Sequence, residues 1–260
     1  MNREAVNPVA YVPDAERGDV VRSRWGLHPC GLLAVVVSIP VVATFFWWLG
    51  TTYFESTLEL LAYQQLAVLI AAVTAGGYQL YFWVQRNTRA TPARCLVLPF
   101  DARIGFEPRW IWFYSVVHYA MVGLTVITIQ DAGNALSLVF GGLMVLVSGC
   151  AIFYFFPTDV PESYRSFEIT SLSTRYLSFI QSMDNSRNAF PSMHCAIATY
   201  AGATLATAPS IGPWLGYGFI TATVVSCLWL KQHVVLDTVG GVALGLAVFH
   251  LNGWLAASVA

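Results

Sequence analysis

The sequence predicts an all-α, polytopic membrane protein: one bundle of six to seven transmembrane helices behind a polar N-terminal tail. Three observations point there. Of 260 residues, 57% are hydrophobic and only 10% are charged, whereas a soluble domain carries roughly a quarter charged residues. Mean hydropathy is +0.61. Apolar stretches of about the 20 residues that cross a bilayer recur near 31–50, 64–84, 109–130, 135–156, 191–208, 211–230 and 233–257.

Residues 1–28 include Arg3, Glu4, Asp14, Glu16, Arg17, Asp19, Arg22 and Arg24. A secretory signal would begin its apolar core earlier, so a polar tail retained on the protein is expected. Residues 29–258 then form a single transmembrane domain with no internal repeat. The second and third spans are joined by RNTRATPARCLVLPFDARIGFEPR, basic and rich in turn formers, as suits a loop that sets topology. The fourth and fifth are joined by residues 157–190, and loops of that length in compact proteins are usually functional. Within it Ile169, Leu172, Tyr176, Phe179, Ile180 and Met183 recur at helical spacing, which predicts a short amphipathic helix in the membrane interface. Only Lys231 and Gln232 separate the last two spans, so a tight turn is required there.

With the N-terminus inside, all 13 Lys and Arg residues fall on one face and none on the opposite connections. The positive-inside rule places that face in the cytosol. A net charge of −1 gives no electrostatic case for nucleic acid. The five cysteines are odd in number and lack metal-ligand spacing; they read as small apolar fillers.

Two clusters could carry chemistry. The first is NAFPSMHC, residues 188–195. Pro191 is placed to open the fifth span, which puts Ser192 and His194 in a first turn whose free N–H groups favour an anion. A histidine beside a bound phosphate is a potential proton donor. The second is KQHVVLDTVGG, residues 231–241. Positions i and i+4 share a helix face, so Asp237 can accept a hydrogen bond from His233 and orient its other nitrogen as a nucleophile. An aspartate within a membrane helix is costly and points to function. Gly241 and Gly245 form a G-x-x-x-G face suited to close helix packing. Two spans separate the histidines, so both return to the same face. Either motif alone is weak, since P-S-x-H is common and H-x-x-x-D on a helix is often a structural pair; the ordered pair with matching sidedness is stronger.

The pair FPSMH and HVVLD resembles the second and third motifs of the type-2 phosphatidic acid phosphatase superfamily. FPTDVPESYR (156–165) and LPFDARIGFEPRWIWFYS (98–115) are similar to segments of the branch related to fungal inositol phosphorylceramide synthase. The resemblance covers roughly residues 95–250. It implies that His233 attacks phosphorus to form a phosphohistidine, that Asp237 orients it and that His194 protonates the leaving alcohol. Ser192 and nearby N–H groups would hold phosphate oxygens, and no metal or cofactor is implied. The superfamily's first motif, a Lys followed by Arg-Pro, is absent, and the Arg usually six residues before the nucleophile is Cys227 here. Developing charge still needs compensation, and Arg165, Arg187 and Lys231 are the available cations. Arg175 suits interfacial snorkelling. Asn188 and Asp184 either shape the approach to the site or form a turn, and His118 reads as a satisfied interior histidine.

The expected function is an integral-membrane lipid phosphate phosphatase acting on a lipid phosphate in the bilayer, with membrane lipids as its surroundings. The alternative is a lipid headgroup phosphotransferase, in which another alcohol replaces water. A proton-coupled transporter would scatter charged residues through mid-membrane depth, whereas here the polar groups gather at one face. A histidine-rich metalloenzyme would want many His and carboxylate ligands, and there are five histidines in all. The location expected is multi-pass in a membrane, the cell membrane if the source is bacterial, with the active site facing the cytosol. Oligomeric state is left open.

Overall fold

In a computed structural model the described residues are 44, 57–88, 93–128, 132–182, 187–208 and 212–259. The polar tail, nearly all of the first expected span, and Met183 and Asp184 lie outside them.

The described chain is mostly helical. The helices are α1 (Thr57–Asn87), α2 (His118–Ile127), α3 (Ala132–Phe155), α4 (Leu172–Ser182), α5 (Met193–Ala206), α6 (Pro213–Trp229) and α7 (Val235–Val259). Two short strands, β1 (Arg94–Cys95) and β2 (Thr158–Asp159), pair in parallel with Arg94 opposite Thr158. Two-residue strands leave no period-2 pattern to read, so the sequence carried no sign of them. Thr158 extends this seam: its carbonyl accepts from Ala189 N–H at 3.2 Å and its Oγ1 from Phe190 N–H at 2.6 Å.

Among the described residues, two helices are long and apolar enough to cross a membrane, Asn134–Phe155 in α3 and Val235–Ser258 in α7. α5 and α6, at 14 and 17 residues, are shorter than the roughly 20 that a span needs. The stretch expected as a third span is broken into a 3₁₀ turn (Pro108–Trp110), a π turn (Phe113–Val117) and the short α2. Pro108 starts the first turn, and Ser115 Oγ donates back to Ile111 O at 2.6 Å, a bond that bends helices.

α5 lies at the centre and packs most extensively against α6 and α7. Small residues allow it: a Cβ on Gly202 would stand 2.8 Å from Gly216 O, one on Gly241 2.4 Å from Ser192 O, and one on Gly245 2.5 Å from Ala196 O. The G-x-x-x-G face therefore seats the first turns of α5 in backbone contact. α1 packs on α3 and α3 on α7.

α4 is buried on one side and exposes apolar residues on the other. Leu177 is fully buried with Tyr176 and Ile180 packed against its cluster, and Ser173, Thr174 and Gln181 are buried as well, while Leu172 and Phe179 are 68% and 57% exposed, as is Ile169 just before the helix. Its start is a reciprocal cap, with Ser171 Oγ accepting from Thr174 N–H and Thr174 Oγ1 from Ser171 N–H.

Candidate active site

The site forms where the end of α6 meets the starts of α5 and α7. α6 closes in a Schellman arrangement: Gln232 N–H donates to Cys227 O and Lys231 N–H to Leu228 O, both at 3.1 Å. The left-handed position of such a cap usually holds glycine, and here Lys231 takes it at φ 56°. A side chain in that conformation costs about 1–2 kcal/mol. Its ammonium is tied down on both sides, donating to Asp101 O at 3.0 Å and lying 4.7 Å from the Tyr164 ring centre.

The two N–H groups that open α7 would be orphans. Asp237 Oδ2 accepts from Val234 N–H at 3.0 Å, and Asp101 Oδ1 accepts from Val235 N–H at 2.8 Å while its Oδ2 takes Leu98 N–H at 2.7 Å. Both carboxylates are 1% exposed, and each sits where the positive helix end favours an anion.

His233 precedes α7 rather than riding on it, so a shared helix face is not what brings it to Asp237. The tight turn does. His233 Nδ1 lies 3.6 Å from Asp237 Oδ2, within ion-pair range but longer than a hydrogen bond. Asp237 Oδ1 has no hydrogen-bond partner among the described residues.

α5 starts two residues later than expected. Ser192, not Pro191, borders it as the cap, its Oγ accepting from Cys195 N–H at 3.4 Å. Ser192 N–H donates to Asp237 O at 2.9 Å, so the two histidine motifs are joined through the main chain. His194 falls in the first turn, and its ring stacks on Tyr114 with centroids 3.9 Å apart at 21°. His118 lies 4.9 Å from it. His118 is interior, as expected, but its Nδ1 has no hydrogen-bond partner among the described residues. The π turn just before it redirects this segment, and no sequence pattern announced that turn.

A pocket opens here, lined by Tyr81, Tyr114, Arg165, Asn188, Gln232 and His233, with Val160 and Ala189 completing the wall. Of the residues expected to meet phosphate, Arg165 lines it and also donates through Nη1 to Gln181 O at 3.2 Å. Three others have different neighbours. Arg187 Nη1 donates to Thr88 Oγ1 at 3.3 Å, Lys231 is held as above, and Ser192 Oγ is committed to its cap. Cys227, fully buried, touches Cys195 and Ser192 at 3.8 and 3.9 Å, so its position belongs to the core. Asn188, Gln232 and Asp101 are site groups to which the sequence reading gave no definite role.

Three groups around the turn carry shifted protonation. Burial pulls the Lys231 ammonium below its ordinary pKa, partly offset by Asp101. Burial, then Asp101, raises the Tyr164 hydroxyl. The Cys95 thiol is raised by burial and then by Asp159 and Asp237.

An imidazole backed by a carboxylate and facing a pocket with a guanidinium and carboxamides is arranged to attack an electrophile that carries negative charge. No curated protein and no solved structure matches this chain. Residues 84–251 do match a family, and that stretch holds His194, His233, Asp237 and the whole pocket wall apart from Tyr81. On that match, which covers well over half of the sequence, the chain belongs to the PAP2 superfamily and is a phosphatase-type enzyme of lipid phosphoesters.

Proposed function

We propose that this chain is a multi-pass membrane lipid phosphate phosphatase that works through a phosphohistidine on His233. One observation carries this: His233 and Arg165 share a pocket wall while Asp237 stands 3.6 Å behind the His233 ring. In the first step the ring nitrogen remote from Asp237 bonds to phosphorus. The bond from phosphorus to the lipid oxygen breaks, and that oxygen takes a proton from His194. In the second step water attacks phosphorus and gives a proton back to His194. The P–N bond breaks and inorganic phosphate leaves. Asp237 offsets the positive charge that grows on His233 during attack, and Arg165 offsets charge on the phosphoryl group. His194 acts from beside the pocket, where the Tyr114 ring holds it by stacking. No step calls on a metal or cofactor.

Water is favoured as the acceptor because the space beside His233 is small and walled largely by polar side chains, Arg165, Asn188 and Gln232 among them. A lipid headgroup phosphotransferase is the second reading, supported by the likeness of residues 156–165 to the inositol phosphorylceramide synthase branch. The membrane setting draws on the exposed Leu172 and Phe179 of α4 and on the two long apolar helices. The cytosolic face draws on the distribution of Lys and Arg.

The test is to present purified protein in detergent with a panel of lipid phosphomonoesters, measure inorganic phosphate, and trap the phosphoenzyme by rapid quench. The expected result is phosphate release with an acid-labile phosphoenzyme that His233→Ala cannot form. Headgroup exchange without phosphate release would give the transferase instead. Full turnover by His233→Ala would remove the mechanism.

A further inference from the structure

The pocket wall contains two carboxamide nitrogens with no hydrogen-bond partner among the described residues, Asn188 Nδ2 and Gln232 Nε2. Both residues line the pocket beside Arg165 and His233. Asn188 is only 3% exposed. A buried donor left unpaired is costly, at about 1–3 kcal/mol, and calls for an explanation.

The orientation of Asn188 is fixed from behind. Gln85 Nε2, itself buried, donates to Asn188 Oδ1 at 2.9 Å. With the oxygen engaged there, the NH₂ group is the part of Asn188 left for the pocket. The backbone is held as well: Asn188 bridges to Thr158, and the next two N–H groups both bond that threonine. Gln232 is fixed by the turn that places His233, its N–H donating to Cys227 O at 3.1 Å. One carboxamide therefore comes from the strand-like segment before α5 and the other from the residue before His233.

We propose that Asn188 and Gln232 form a neutral donor pair that receives the non-bridging oxygens of the phosphoryl group, alongside Arg165. This rests on the phosphoester reading above and assigns the part of the anion site that Lys231, Arg187 and Ser192 do not line. Each carboxamide carries two N–H donors, and a donor directed at developing charge in a partly enclosed site strengthens as that charge grows. The pocket thus meets phosphate with one guanidinium and two dipoles, where the resemblance would have led to several cations.

The test uses full-length protein in detergent with orthovanadate as the probe, read as inhibition of phosphate release and, independently of turnover, as a rise in Tm on binding. Asn188→Ala and Gln232→Ala should each raise the vanadate concentration for half-effect roughly tenfold or more, as expected for a lost hydrogen bond to an anion. If Asn188→Ala fails to fold because Gln85 loses its partner, Asn188→Leu/Gln85→Leu removes both polar groups together and should show the same loss. Wild-type protein that responds to vanadate, with variants responding at the same concentration, would overturn the amide pair alone. Wild-type protein that neither binds vanadate nor releases phosphate would overturn the phosphoester reading and the pair with it.

Discussion

Asp237→Asn separates two tasks that one carboxylate performs. Its Oδ2 accepts from Val234 N–H at 3.0 Å and stands 3.6 Å from His233 Nδ1. An asparagine oxygen can keep the first contact, and Asn and Asp cap helices about equally well, so the start of α7 should survive. What disappears is the charge facing the ring. Two unit charges at that separation interact by about 4–5 kcal/mol at an effective dielectric of roughly 20. Delocalisation over both groups lowers that figure, and at 1.36 kcal/mol per factor of ten the expected fall in kcat is about 10²- to 10³-fold. KM should change little, because the charge on His233 develops only during attack. The assay is steady-state phosphate release from a lipid phosphomonoester in mixed micelles, with Tm measured on the same preparation. A variant that keeps more than a tenth of wild-type kcat at an unchanged Tm would refute an electrostatic role for Asp237.

Asp101→Ala strips the acceptor from two N–H groups, those of Leu98 and Val235. At about 1–3 kcal/mol for each buried orphan it should lower Tm clearly, with Asp101→Asn intermediate because one oxygen remains. Gly241→Ala puts a methyl 2.4 Å from Ser192 O, whereas Gly253→Ala meets nothing within 4 Å. The first should cost about 1–3 kcal/mol and depress kcat by displacing α5 from α7; the second should do neither, and equal effects would discount the close contact. Cys95 is exposed while Cys150, Cys195 and Cys227 are buried, so in a Cys30→Ser background it is the thiol to label. Its pKa is raised, so its thiolate fraction, and with it the alkylation rate, should climb at higher pH than for an unperturbed thiol near 8.5–9. If its loop is cytosolic, an impermeant maleimide should label it only after cells are opened; ready labelling of intact cells would reverse the orientation.

The two histidine motifs and the tight turn at Lys231 were legible because each is a local pattern with strict spacing. Helical content, the amphipathic α4 and the close-packing role of Gly241 and Gly245 were legible from periodicity for the same reason. The expected i, i+4 face failed at His233 because a helix boundary fell between it and Val235, and boundaries depend on caps that propensity does not reveal. Pro191 was placed two positions too far into the helix because Ser192 takes the cap and Met193 the first helical position. The pairing of Asn188 with Gln85 joins residues 103 positions apart, and the Asp101 bond to Val235 spans 134. Nothing in single-sequence periodicity encodes such contacts.

Asp101 also changes what the loop before α2 is for. Its basic composition was explained by topology alone, yet the loop reaches the turn that holds His233 at two points through a single residue. The carboxylate caps Val235 and the carbonyl takes the Lys231 ammonium. That second contact accounts for a lysine at a left-handed position where glycine would avoid about 1 kcal/mol or more of strain. Lys231→Gly would therefore relieve the backbone while releasing the loop from the turn. Lys231 is held by this loop and is not among the residues lining the pocket, and Cys227 is buried in the core. On the reading proposed above, anion recognition falls to Arg165 and Asn188, both supplied by the segment that Thr158 stitches to the residues just before α5.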